Sequence, residues 1–248
     1  MVEWGSGGGT ADIASEELLT DSELLKLMQD PLVTRIGIDA PFGWPDQFVN
    51  ALVGWRDHGI WPVEPDAYET QRPLVLRETD RRVHASTGRW PLSVSTDRIA
   101  FAGMRCARLL AALAKAGTAI DRSGAGRVIE VYPEAALRQW NLSPAQSAND
   151  PGGYKGPAPQ ATDRRHRLLT QLRERTAGWL TLNDQLAKAC LARDDPLDAL
   201  LCALIARAAD LELLEPVTEA DRARTEGWIR LPRSESLELL GGARHARA

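Results

Sequence analysis

Arg35-Ile36-Gly37-Ile38-Asp39-Ala40-Pro41-Phe42-Gly43-Trp44-Pro45 is a short apolar run that delivers one carboxylate and then breaks. The run reads as a buried strand, ended at once by Pro41, Gly43 and Pro45. In open α/β sheets ligands bind beyond the carboxyl ends of strands, so Asp39 stands where chemistry is commonly done. Aspartate also starts turns by hydrogen-bonding its own backbone, and on this stretch alone both readings stay open.

Strand and helix signals alternate on either side. Upstream, Met1 to Trp4 reads as a strand end, Gly5 to Gly9 as a turn and Thr10 to Glu17 as another strand. Leu24, Leu25, Leu27 and Met28, behind the capping candidates Thr20, Asp21 and Ser22, predict a short helix. Downstream, a helix near Asp46 to His58 lies in an irregular stretch rich in Trp, Pro and charge, read as an inserted loop or lid at about 45–95. Ser95-Thr96-Asp97 then caps an amphipathic helix that carries Ile99, Gly103, Cys106, Leu109, Leu110 and Leu113 and ends around Gly117. A second strand, Gly126 to Pro133, is β-branched and again carries an acid, Glu130. A loop with Pro144, Pro151, Gly152, Gly153, Gly156, Pro157 and Pro159 leads into a basic helix from about Ala161 to Gly178. Two further helices and the strand-like Gly227 to Pro232 complete a largely α/β pattern.

The chain has 248 residues, 44% of them hydrophobic and 26% charged, enough for a full core. We expect a single domain over 1–235 and a tail at 236–248. Cys106, Cys190 and Cys202 are far apart, lack metal-ligand spacing and fall in apolar helical patterns, as small core residues of a reducing compartment do. No apolar run approaches the ~20 residues needed to span a bilayer, and the Gly-rich, acidic start does not resemble a signal peptide. These features predict a soluble, cytoplasmic protein with no membrane partner. A net charge of −4 argues against a globally basic coat for nucleic acid. Two segments are locally basic: Arg72 to Arg108, with Arg77, Arg81, Arg82, His84, Arg89, Arg98 and Arg105, and Arg164 to Arg175. Either could bind phosphates or be a solvated helix face.

A second acidic group opens Asp194-Asp195-Pro196-Leu197-Asp198-Ala199-Leu200-Leu201-Cys202-Ala203-Leu204-Ile205-Ala206-Arg207, the most helix-like segment of the chain. Asp195 reads as an N-cap with Pro196 at the first helical position and Asp198 at N3 in the field of the helix dipole. Asp198 is also in register with Leu201, Cys202 and Ile205, on the face that packs. A partly buried carboxylate needs a partner, and several together need a cation. Mg²⁺ takes oxygen ligands, often one or two carboxylates with waters and substrate phosphates. Two such ions roughly 4 Å apart can activate a water and stabilise the leaving oxygen of a phosphodiester.

Seven stretches together resemble the domain of unknown function 429 family. They are GIDAPFGWP from Gly37, RETDRRV from Arg77, TGRWPLSVSTDRI from Thr87, EVYPEAALRQW from Glu130, GYKG from Gly153, DDPLDALLCALIARA from Asp194 and EGWIRLP from Glu226. The resemblance covers nearly the whole chain. It implies a ribonuclease-H-like mixed sheet flanked by helices, in a family of predicted nucleases. In such folds metal-binding acids lie on the first strand, the fourth strand and the last core helix. By motif, Asp39 resembles the fourth-strand acid and Asp195 with Asp198 the helix pair, with Glu130 a nearby strand acid. Arg77, Arg81, Arg82 and Lys155 would then engage phosphates, although surface salt bridges also explain such residues. Members of this family carry a Gly-Ile/Val-Asp strand before the position of Val2-Glu3-Trp4. That first strand, with its acid, is expected to be missing here.

The resemblance implies a divalent-metal-dependent nuclease or phosphodiesterase acting on nucleic acid, with Mg²⁺ or Mn²⁺ held by Asp39, Asp195 and Asp198. The same fold also serves ATP-dependent phosphotransferases, for which Gly5 to Gly9 is the Gly-rich run, though one that reads equally as a hairpin turn. A third possibility is a catalytically incomplete nucleic-acid or protein binding module. A Ser-His-Asp hydrolase fits poorly, since the four histidines are scattered.

Overall fold

The computed structural model describes residues 1–15, 17–63, 71–144 and 153–242. Parts of four expected features lie outside these residues: Glu16 of the second strand, 64–70 of the lid, Pro151 with Gly152 of the Pro/Gly loop, and 243–248 of the tail. The chain is mixed α/β and divides into two compact units, each gathered from separate stretches. Unit 1 comprises Met1–Thr20, Pro133–Glu215 and Leu231–Ala248; unit 2 comprises Asp21–Tyr132 and Pro216–Arg230.

Unit 2 is built on two parallel strands, β3 (Ile36–Ile38) and β4 (Val128–Glu130), paired Ile36 to Val128, Gly37 to Ile129 and Ile38 to Glu130. The expected strand Gly227 to Pro232 forms only two isolated bridges, Ile229 to Glu130 and Pro232 to Leu214. β4 is buried throughout, as its β-branched sequence requires. Against the strands pack α1 (Asp21–Gln29) and α5 (Ala100–Lys115). Met28, Cys106, Leu110 and Leu113 join Phe42 and Val128 in a core that Ile36 and Ile38 flank. The buried positions of α5, Gly103, Cys106, Leu109, Leu110 and Leu113, are the stripe read from the sequence. Its start differs: Asp97 does not cap the helix but accepts the Ser93 N–H at 2.7 Å and so closes a separate turn. The described parts of the 45–95 stretch are mostly helical, as α2 (Asp46–His58), α3 (Arg72–Val75) and α4 (Glu78–Thr87), and α10 (Ala220–Glu226) packs against α2 and α4.

Unit 1 holds a three-stranded sheet. β1 (Val2–Gly5) and β2 (Gly8–Ala11) form an antiparallel hairpin, and β5 (Leu180–Leu182) runs parallel to β2. Gly5 to Gly9 is therefore the turn and flanks of a hairpin rather than a loop feeding a helix N-terminus. Gly8 adopts φ +124°, and a Cβ there would lie 2.2 Å from the Trp179 carbonyl oxygen, so only glycine fits. Around the sheet are α6 (Pro133–Gln139), α7 (Pro159–Thr176), α8 (Asp184–Ala192) and α9 (Asp194–Asp210). Asn183 caps α8 by accepting the Gln185 N–H at 2.7 Å. α9 buries Leu197, Leu200, Leu201, Leu204 and Ile205 and contacts α6, α8 and β1. The expected tail contributes a 3-10 turn, Leu237–Gly241, whose Leu237 and Leu240 are buried in unit 1, while 243–248 lie outside the described residues.

All three cysteines are buried thiols. Burial pushes Cys106 up to about 12 and Cys190 up to about 11, so both behave as inert core groups. Among the described residues no helix is long and apolar enough to cross a membrane.

Candidate functional site

In unit 2 the break after β3 places Asp39 at the strand's carboxyl end, with its side chain exposed. Three residues on, the Phe42 N–H donates to Glu130 Oε2 at 2.9 Å, tying the turn to β4. Glu130 is buried, and its other partner is Arg77, itself 2% exposed. The guanidinium reaches Glu130 through Nη1 at 3.0 Å and Nη2 at 2.8 Å, and Asp80 through Nη2 at 2.9 Å and Nε at 3.3 Å. Nη1 also donates to the Glu226 carbonyl at 3.2 Å. All five guanidinium N–H groups are thus used inside the protein. Burial alone would lower the pKa of Arg77, but Glu130 and Asp80 outweigh it and hold the guanidinium protonated.

Arg77, expected to engage phosphates, has all its guanidinium donors engaged inside the protein, and Glu130, expected as a nearby strand acid, is its buried counter-ion. The packing is tight enough that a Cβ on Gly227, at φ +82°, would lie 2.8 Å from Glu130 Oε2. Arg81 and Arg82 are partly exposed and both pair with Glu78, at 3.0 Å each. Arg222 reaches the same carboxylate at 3.4 Å, so one acid organises three cations at the start of α4. These two residues stay near the surface as expected, engaged with protein rather than free.

In unit 1 the start of α9 faces the Gly153-Tyr154-Lys155-Gly156 loop. The helix begins at Asp194, one residue before the Asp195 cap read from the sequence, with Arg193 extended before it. The loop meets the acids one by one. The Gly156 N–H donates to Asp194 Oδ1 at 3.2 Å, the Tyr154 hydroxyl to Asp198 Oδ1 at 2.5 Å, and Lys155 Nζ pairs with Asp198 Oδ2 at 2.7 Å. Asp198 is 13% exposed, whereas Asp195 points to solvent. Burial raises the Asp198 carboxyl above its ordinary range; Lys155 and Tyr154 oppose the rise, and Asp194 adds to it.

A buried cation holds this loop in place. Arg165 on α7 is 1% exposed and donates through Nη1 to the Tyr154 and Gly156 carbonyls, both at 2.9 Å. Its remaining partners are Thr162 Oγ1 and the carbonyls of Leu191 and Ala192 at the end of α8. The negative end of a helix dipole thus offsets this charge, which makes no ion pair among the described residues.

The carboxylate that shares the loop-facing side with Asp198 is Asp194, four residues earlier, and sequence reasoning passed over it in favour of Asp195. The i, i+4 spacing of Asp194 and Asp198 was the available signal. Tyr154 was missed as well, since the GYKG stretch marks the family without assigning a task to its tyrosine. Asp39 belongs to unit 2 and Asp194, Asp195 and Asp198 to unit 1. Among the described residues no group of three or more His, Cys, Asp or Glu side chains could hold a metal ion.

A model of a protein family described as being of unknown function, DUF429, matches residues 1–222. The chain belongs to the DUF429 family. The family match takes in Asp39, Arg77, Glu130, the Tyr154 loop and the start of α9, and stops before Glu226. No curated protein and no solved structure matches the chain.

Proposed function

We propose that this DUF429 protein is a divalent-metal-dependent phosphodiesterase acting on nucleic acid. The observation that carries the reading is the carboxylate pair Asp194 and Asp198 on one face of the first turn of α9, with Asp198 oriented by Tyr154 and Lys155. A three-acid cage is not required for Mg²⁺ or Mn²⁺, because such ions commonly bind through one or two carboxylates and take waters and substrate phosphates for the rest. The pair suits that mode of binding. Asp194 and Asp198 would hold the ion, and Asp195 lies beside them on the same turn of α9.

A bound divalent ion supplies Lewis-acid stabilisation of phosphate charge and lowers the pKa of a water. The chain's own groups do the rest. Tyr154 fixes the Asp198 carboxylate in one rotamer, and Arg165 fixes Tyr154 and Gly156 through their carbonyls. Lys155 carries the positive charge beside Asp198 and, at 44% exposure, can swing to meet a phosphate when an ion takes over that carboxylate. The Gly5 to Gly9 hairpin lends no support to the phosphotransferase alternative, which needs a Gly-rich loop at a helix N-terminus.

Thermal unfolding with and without Mg²⁺ or Mn²⁺ tests the ligand set. Millimolar-range metal at about 100 times its Kd should stabilise the native chain by about 2.7 kcal/mol. Asp198→Asn should abolish that gain, and an unchanged melting curve of the native chain would remove the basis of the proposal.

A further inference from the structure

The stretch from His84 to Arg108 holds four arginines against one aspartate, and it leaves large aromatic and apolar groups in solvent. Phe101 is 82% exposed, Met104 50% and Trp90 42%. Trp90 is not loose: its ring lies on His84 with centroids 3.8 Å apart and planes 13° from parallel, which pins the loop after α4 against that helix. Ser93 fixes the rest of the loop, its hydroxyl donating to the Val75 carbonyl at 2.6 Å and accepting the Ser95 and Thr96 N–H groups. The loop then lies on the first turns of α5, where a Cβ on Gly103 would sit 3.0 Å from Val94 Cγ2. The same Cβ would sit 3.7 Å from Trp44 and 3.9 Å from Pro41, in the break that follows Asp39. Gly103 thus packs the buried side of α5 on the break after β3, while Phe101 and Met104 stay exposed on the same helix.

The charges fit a polyanion. Arg98 is exposed and makes no ion pair among the described residues. Arg105 and Arg108 share the single carboxylate of Asp21, so the pairing leaves an excess of positive charge. Asp97, the one acid of the stretch, is occupied in the Ser93 turn. Exposed rings, one of them pinned, beside an arginine with no ion pair among the described residues offer what single-stranded nucleic acid needs, stacking for its bases and a cation for its backbone.

We infer that the surface formed by Trp90, Arg98, Phe101 and Met104 binds single-stranded nucleic acid by base stacking and phosphate contact. The inference rests on the proposed phosphodiesterase reading for why the chain binds such a strand at all, and it names the substrate as single-stranded rather than duplex. The TGRWPLSVSTDRI motif, which the carboxylates leave unexplained, acquires a role as the platform.

Fluorescence anisotropy on the full chain in EDTA tests this, with labelled DNA and RNA oligonucleotides of about 16 nucleotides and a duplex competitor. The expected result is single-strand binding that resists the duplex, with Kd weakened about tenfold by Phe101→Ala. Arg98→Ala should reduce the slope of log Kd against log salt by about 0.7. Both side chains are exposed, so neither change threatens the fold. Absence of single-strand binding, or native-like binding by both variants, would overturn the inference. So would a change in self-association of Phe101→Ala with oligonucleotide affinity intact, since the patch would then be a protein contact. Because binding is read without metal, failure of metal-dependent stabilisation or cleavage leaves this result standing.

Discussion

Asp198 keeps a carboxyl group inside the protein beside a second acid, Asp194, with one lysine and one tyrosine as partners. Burial raises its pKa above the ordinary 3.8, so the native state binds that proton more tightly than the unfolded chain does. Its contribution to stability is most favourable below 3.8, falls as pH rises through the raised value, and is fully lost above it. Asp198→Asn removes the titration. The unfolding free energy of the variant should therefore gain on that of the native chain as pH rises through this interval, measured by urea denaturation at a series of pH values. A constant difference would show that Asp198 is not buried in its charged form. At this scale the sequence was legible in part. The register that put Asp198 on the packing face also predicted its need for partners, but Tyr154 and Lys155 are 44 and 43 positions away, beyond any periodicity. Arg77 shows the same limit, since its charged neighbours mimic a solvated face while its decisive partner, Glu130, is 53 residues away.

The elements of unit 2 are joined by a carboxylate that no local pattern announces. Glu226 Oε1 accepts the Asp46 N–H at 3.0 Å and Oε2 the Glu78 N–H at 2.8 Å, so one buried side chain serves the N-termini of both α2 and α4. Neither helix has a side-chain cap supplied by the residue before it to do this work alone: Pro45 offers none, and Arg77 is drawn into its ion pairs. A negative group there also meets the positive ends of two dipoles. Glu226→Gln would turn an amide N–H toward one of the two donors, leaving a buried N–H unpaired. The expected cost is about 2 kcal/mol in unfolding free energy, and a change within about 0.5 kcal/mol would show that water replaces the cap. Helix α2 was readable from its ends, with Pro45 before it and Gly59 in the left-handed conformation after it. The start of α5 was misplaced because Ser95-Thr96-Asp97 has the composition of a cap, while Asp97 is captured by Ser93 two residues before Ser95.

At the scale of the molecule, the alternation of strands and helices gave the α/β class, and the run of motifs gave the family. The division into two compact units was not legible, because each unit is assembled from segments far apart in the chain. Contacts between such segments leave no mark on composition or spacing. The family membership fixes kinship and leaves chemistry to the groups themselves, so the reading stands on Asp194 and Asp198 with their loop. The most direct measurement is cleavage of single-stranded DNA and RNA by the native chain and by Asp198→Asn, with Mg²⁺ or Mn²⁺ and with EDTA. The native chain should cleave only with metal, and Asp198→Asn, confirmed folded by its circular dichroism, should lose at least about a hundredfold in rate. Cleavage that survives EDTA, or that Asp198→Asn performs at the native rate, would contradict the assignment of these carboxylates as the metal-holding groups of a phosphodiesterase.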